Sequence, residues 1–144
     1  MHPTLNTNPD MLIKEMEKML RKFNPPGVVS SDIYHHGVEV TSFQQMLFIS
    51  GQVGVGPDGI PGIGIRQQTE LAIHNLYKVL AGANMDANDI VKSTIYLTDE
   101  NQLGAFMEAG AGALPTPPPA TTLVIVKALA SPDLLVEIEA IAAK

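Results

Sequence analysis

The 144-residue chain has no cysteine, which excludes a disulfide framework and fits an expectation of the cytoplasm. No apolar run approaches the ~20 residues that a helix needs to cross a bilayer. The opening MHPTLNTNPD lacks the basic start and apolar stretch of a secretory signal. Positive charge is scarce: nine basic against fifteen acidic residues leave a net charge of −6. That balance repels nucleic-acid phosphates, and no run of Lys and Arg overcomes it locally. The same shortage disfavours a membrane surface. Aromatics make up only 5%, so a core must be built from Ala, Val, Ile and Leu. With nucleic acid and membrane set aside, the expected partner is a small molecule or another protein.

What is present falls into one domain with an N-terminal extension. Residues 1–22 form the extension and residues 23–144 the domain. Within 10–23, Asp10 offers an N-cap and Leu12, Met16, Met19, Leu20 and Phe23 recur at helical spacing. Two readings stay open for this stretch, a short docked helix or a frayed extension. NPPG (24–27) then breaks the chain. IYHHGVEV (33–40) and QMLFISGQV (45–53) read as strands, and Pro57-Asp58-Gly59 as a turn. From Arg66 to Ala83 the apolar spacing predicts an amphipathic helix. IVKSTIYLT (90–98) alternates as a strand does, and 100–114 reads as a second helix weakened by glycines. TTLVIVKAL and LLVEIEAIA complete the strands. The order β-β-α-β-α-β-β predicts an α+β fold with two helices on one face of a single sheet.

Several motifs invite chemistry and do not sustain it. GVGPDG (54–59) matches G-x-G-x-x-G, yet the turn delays the helix whose amides would meet a pyrophosphate. No acidic residue follows where a ribose requires one. His35 and His36 are neighbours on a strand and point to opposite faces, so they cannot chelate one metal. His74 has no partner at helical spacing, and no metal site or cofactor is expected. No G-x-S-x-G elbow supports a serine triad. More informative are Glu137 and Glu139, which share one strand face while Val136, Ile138 and Ala140 share the other. The carboxylate face also carries Leu135 and Ile141. A face that mixes apolar and acidic groups suggests a subunit contact with a wet cleft at its edge.

The start of the strand at Tyr34, ISGQV (49–53), QTELAIHNLYKVLAGA (68–83), DIVKSTIYLTD (89–99) and PPATT followed by LVEIEAIA (118–142) together resemble the reactive intermediate deaminase (Rid) family. The resemblance implies a chorismate-mutase-like α+β unit assembled as a homotrimer, with small-molecule clefts between subunits. In deaminating members, an arginine after the proline stretch clamps the carboxylate of a 2-imino or 2-enamino acid. A glutamate later in the chain positions the attacking water. The matching glutamate here is Glu137, but the arginine's place holds Thr121, and an asparagine of the second helix is replaced by Met107. Tyr34, Ser50, Gly51, Met107 and Thr122 are the implied substrate-binding residues, with Glu137 and Thr121 at the chemistry.

A guanidinium fork makes two parallel charge-assisted bonds to a carboxylate, whereas a threonine offers one neutral hydroxyl. The substitution therefore implies a binding loss of about a hundredfold for a carboxylate-bearing imine. Two functions follow from the resemblance: imine or enamine hydrolysis on some other small molecule, or a non-catalytic ligand-binding or chaperone-like trimer. The prolines before Thr121 restrict φ and hold the backbone extended, so that the threonines arrive with little freedom.

Overall fold

In the computed structural model, residues 8–10, 20–113 and 115–144 are described. The ordered elements run β1 (Leu20–Phe23), β2 (Gly37–Val40), β3 (Met46–Val53), α1 (Gly64–Gly82), β4 (Ile90–Leu97), α2 (Leu103–Ala109), β5 (Ala120–Ile125) and β6 (Val136–Ala143). The main sheet has the order β3-β6-β4-β5, antiparallel except for the parallel β4–β5 pair. That pair requires a crossover, and α2 lies in it. β1 and β2 form a separate antiparallel ribbon. The ribbon reaches the main sheet through a His35–Ala120 bridge, where the His35 amide donates to the Pro119 carbonyl at 3.1 Å.

These elements match the expected α+β order, with differences at the edges. Leu20–Phe23 is a strand, so the helix anticipated over 10–23 does not reach its last residues; 11–19 lie outside the described residues. Pairing with β2 supplies the reason. Arg21 meets Glu39 at 3.2 Å across the ribbon and stacks on Phe23. The first strand is shorter than 33–40, because Tyr34 and His35 turn toward the proline stretch. The second helix keeps only Leu103–Ala109, preceded by a 3₁₀ turn that Asp99 caps. Leu114, the end of the expected span, is outside the described residues.

The core lies between the helices and one face of the sheet. Leu76 and Leu80 of α1 and Phe106 of α2 pack with Ile95, Leu97, Val136 and Ile138. Gln68, in the first turns of α1, is buried and fully used. Its amide nitrogen donates to the carbonyls of Gly62 and Asp133, and its oxygen accepts from the Leu135 amide at 2.8 Å. This clamp fixes the entry into β6, the strand that bears both glutamates. GVGPDG also finds a structural role. A Cβ at Gly54 would lie 2.4 Å from that of Gln68, so the glycine lets β3 approach the helix. Asn75 then ties the chain on either side of Gly54 by donating to the carbonyls of Val53 and Val55.

Candidate active site

Strand parity divides the predicted site residues into two groups. In β6, Val136, Ile138, Ala140 and Ala142 are buried under the helices, while Glu137, Glu139 and Ile141 face the other way. Register extends the division across the sheet. Thr94 pairs with Glu139 and Tyr96 with Glu137, so these residues share the open face. Ser93 pairs with both Ala140 and Thr121, so Thr121 faces the helices. Thr121 and Glu137 are therefore not brought together within one chain. They lie on opposite faces of the same sheet.

The open-face group centres on Glu137. Between Ile49 and Gln52 the β3–β6 register shifts, and Ser50 and Gly51 form a bulge there. A Cβ at Gly51 would sit 1.8 Å from Glu137 Oε1, so the carboxylate occupies the space that a side chain at 51 would fill. Bulges of this kind re-aim side chains and recur beside active sites. Among the described residues, no hydrogen bond or ion pair occupies the Glu137 carboxylate. Glu139 differs, because it accepts the Tyr96 hydroxyl at 2.5 Å. That hydrogen bond, together with burial and the nearby carboxylates, pushes the Tyr96 phenol above its ordinary value. Ser50, Lys92, Thr94 and Glu139 line a depression of about 320 Å³, walled by Phe48 and Ile141.

Near Thr121 the surroundings are different. Its hydroxyl lies 3.1 Å from that of Ser93 and donates weakly, at 3.3 Å, to the Pro119 carbonyl. His35 Nδ1 contacts the Pro118 carbonyl, which brings the Tyr34 segment to this side, where the Tyr34 ring stands edge-on to His36. Met107 and Ser93 line a second cavity, between α2 and the sheet. Thr122, the next residue along β5, points the other way and accepts a hydrogen bond from Lys92 at 2.6 Å.

Both arginines are engaged elsewhere, Arg21 with Glu39 and Arg66 with Glu108. Two lysines lie closer to the β5 start. Lys22 donates to the Pro117 carbonyl, and burial lowers its pKa; Lys92 lies on the glutamate face. Neither was singled out, since only the β1–β2 and β4–β5 pairings bring them there. Ser93 was also missed, because a serine inside an alternating strand carries no signal of its partner. Among the described residues no cluster suited to a metal ion forms, and no helix is long and apolar enough to cross a membrane.

Residues 28–144 match the family described as endoribonuclease L-PSP. A RutC family protein of Pyrococcus abyssi is 34% identical over 113 residues, covering 77% of this chain and 86% of its own. The chain belongs to the Rid/YjgF family. Its fold agrees: a protein of unknown function from the conserved Rid family in Yersinia pestis superposes with a TM-score of 0.75 at 32% identity, covering 88% of this chain and 99% of that one. Among relatives with a named activity, the mouse 2-iminobutanoate/2-iminopropanoate deaminase is 36% identical over 78 residues, covering 52% of this chain and 55% of its own. The Rid membership supports a deaminase-like role at the level of the family.

Proposed function

We propose that this Rid protein hydrolyses the C=N bond of an imine, or of the imine tautomer of an enamine, in a small molecule that does not depend on an arginine clamp. We further propose that it works as a homotrimer whose clefts join the two groups of site residues. The carrying observation is the Glu137 carboxylate lying against the Gly51 bulge, in which the neighbouring Ser50 is exposed. An unpaired carboxylate in that position suits a general base. Glu137 takes a proton from water as the oxygen adds to the imine carbon and then delivers that proton to the nitrogen, which restores the carboxylate. Collapse of the resulting carbinolamine breaks the C–N bond and releases a carbonyl compound and ammonia. Ser50 and Thr121 donate hydrogen bonds to the substrate, and Tyr34, Met107 and Thr122 border the cleft.

The assembly follows from the same face. Phe48 is 71% exposed and Val124 39%, on a sheet face that also carries Ile141. An apolar strip of this kind on a small domain marks a contact surface. A second copy set against it would bring its own Thr121 edge to the Glu137 of the first. Neither nucleic acid nor a membrane enters this reading, since both arginines are paired with carboxylates.

The test measures ammonia release from freshly generated 2-aminoacrylate and from uncharged imines, using the wild type, Glu137→Ala and Thr121→Arg. The reading expects turnover of an uncharged imine that Glu137→Ala abolishes. Thr121→Arg is expected to improve use of the carboxylate-bearing substrate by about a hundredfold. No turnover of any imine by either the wild type or the arginine variant refutes it. The separation of Thr121 from Glu137 within the chain favours a second reading, a non-catalytic trimer that binds a metabolite. Thermal-shift screening discriminates, because a ligand at a hundred times its dissociation constant adds about 2.7 kcal/mol of stability.

A further inference from the structure

The cavity beside Ser93 has a volume of about 330 Å³. Protein interiors rarely hold voids much larger than a water molecule, and an apolar cavity of about 150 Å³ already accepts benzene. The space therefore matches the lower end of ligand pockets, about 300–1,000 Å³. Its walls are apolar: Ile73, Leu76, Ile95, Phe106, Met107 and Ile138. Ser93, only 4% exposed, sets a hydroxyl at its edge and connects by one hydrogen bond to Thr121. At the rim stands Asp32, and no Lys, Arg or His lines the cavity among the described residues.

We propose that this cavity is the subsite for the apolar group, aryl or branched alkyl, of an amine-derived ligand that is uncharged or cationic at nitrogen. The walls exclude water and receive the hydrocarbon. The Ser93–Thr121 hydroxyl pair meets the nitrogen-bearing carbon, and Asp32 favours positive over negative charge at the mouth. The cavity gives chemical content to the missing arginine: a carboxylate finds no cation here, whereas an arylalkyl imine finds a fitted volume. This inference deepens the hydrolytic reading and rests on it for the chemistry, though not for the binding.

Binding is tested on the full chain with isoleucine-methyl NMR, using 2-phenylethylamine, phenylacetate and ethylamine as probes. The expected result is that 2-phenylethylamine shifts the methyls of Ile73, Ile95 and Ile138. Phenylacetate and ethylamine should each bind at least about tenfold more weakly, the first for its charge and the second for its missing ring. Ala113→Phe, which places a ring into the cavity wall, should remove the shifts. If that variant does not fold, the wild-type methyl map decides alone. Unshifted methyls, or phenylacetate binding as well as the amine, overturns the proposal. Binding at these methyls without hydrolysis of any imine refutes the hydrolytic reading and leaves the subsite standing. Hydrolysis of an uncharged imine without methyl shifts does the reverse.

Discussion

The two faces of the main sheet are built from the same strands and have opposite fates. One face carries Leu97, Val136, Ile138 and Ala140, buried by two helices. The other alternates with it residue by residue and carries Phe48, Thr94, Tyr96, Glu137 and Glu139, with Phe48 and Val124 left exposed by the described residues. A one-residue step along β6 separates a core isoleucine from the proposed catalytic carboxylate. The covered face holds the fold together, whereas the open face holds the acidic chemistry and the proposed contact. Thr121 belongs to the first and Glu137 to the second, so in the proposed trimer assembly rather than folding unites them.

This division is broken most sharply by Glu137→Gln. Loss of the base should cut turnover by about 10²–10⁴-fold, while the melting temperature stays near that of the wild type. Gly51→Ala sharpens the point, because its methyl would displace a carboxylate at the flexible end of a side chain. It should lower kcat without unfolding the protein. On the covered face the signs reverse. Leu97, with no exposed surface, should cost about 2–5 kcal/mol of stability when changed to Ala, as read from denaturant midpoints.

A smaller effect is expected from Phe48→Glu. A charge at the proposed contact should favour the monomer by about tenfold or more in the association constant, measured by light scattering against concentration, with the fold retained. The smallest effect concerns Tyr96. Its phenol is raised in the folded state, chiefly by the hydrogen bond to Glu139. The neutral form is therefore favoured by folding, and that stabilisation is complete below the unfolded pKa of about 10 and is lost as pH rises through the folded value. Melts above pH about 10 should show the wild type losing stability more steeply than Tyr96→Phe.

Much of this was legible in the chain itself. Alternation in 90–98 and 134–142 gave the strands and their buried sides, since period two is a local property. The α1 helix followed from its apolar spacing for the same reason. What stayed hidden depends on pairing. Leu20–Phe23 carries a helical pattern, and only its contact with β2 makes it a strand. The resemblance paired Thr121 and Glu137 as one site, but their opposite orientation emerges only from the β5–β4–β6 register. The role of Gln68 was hidden too, because nothing local reveals the loop at Asp133 that it clamps.

The central claim is that the Thr121 and Glu137 groups meet only between copies. Co-expression of two differently tagged variants, Glu137→Gln and Thr121→Trp, followed by purification of the mixed oligomer and assay of imine hydrolysis, tests it most directly. Each variant alone should be inactive. In the mixed oligomer about one cleft in three, the share in a closed heterologous trimer that contains both variants, should carry both intact groups and recover activity. A mixed oligomer as inactive as its parents would contradict the account.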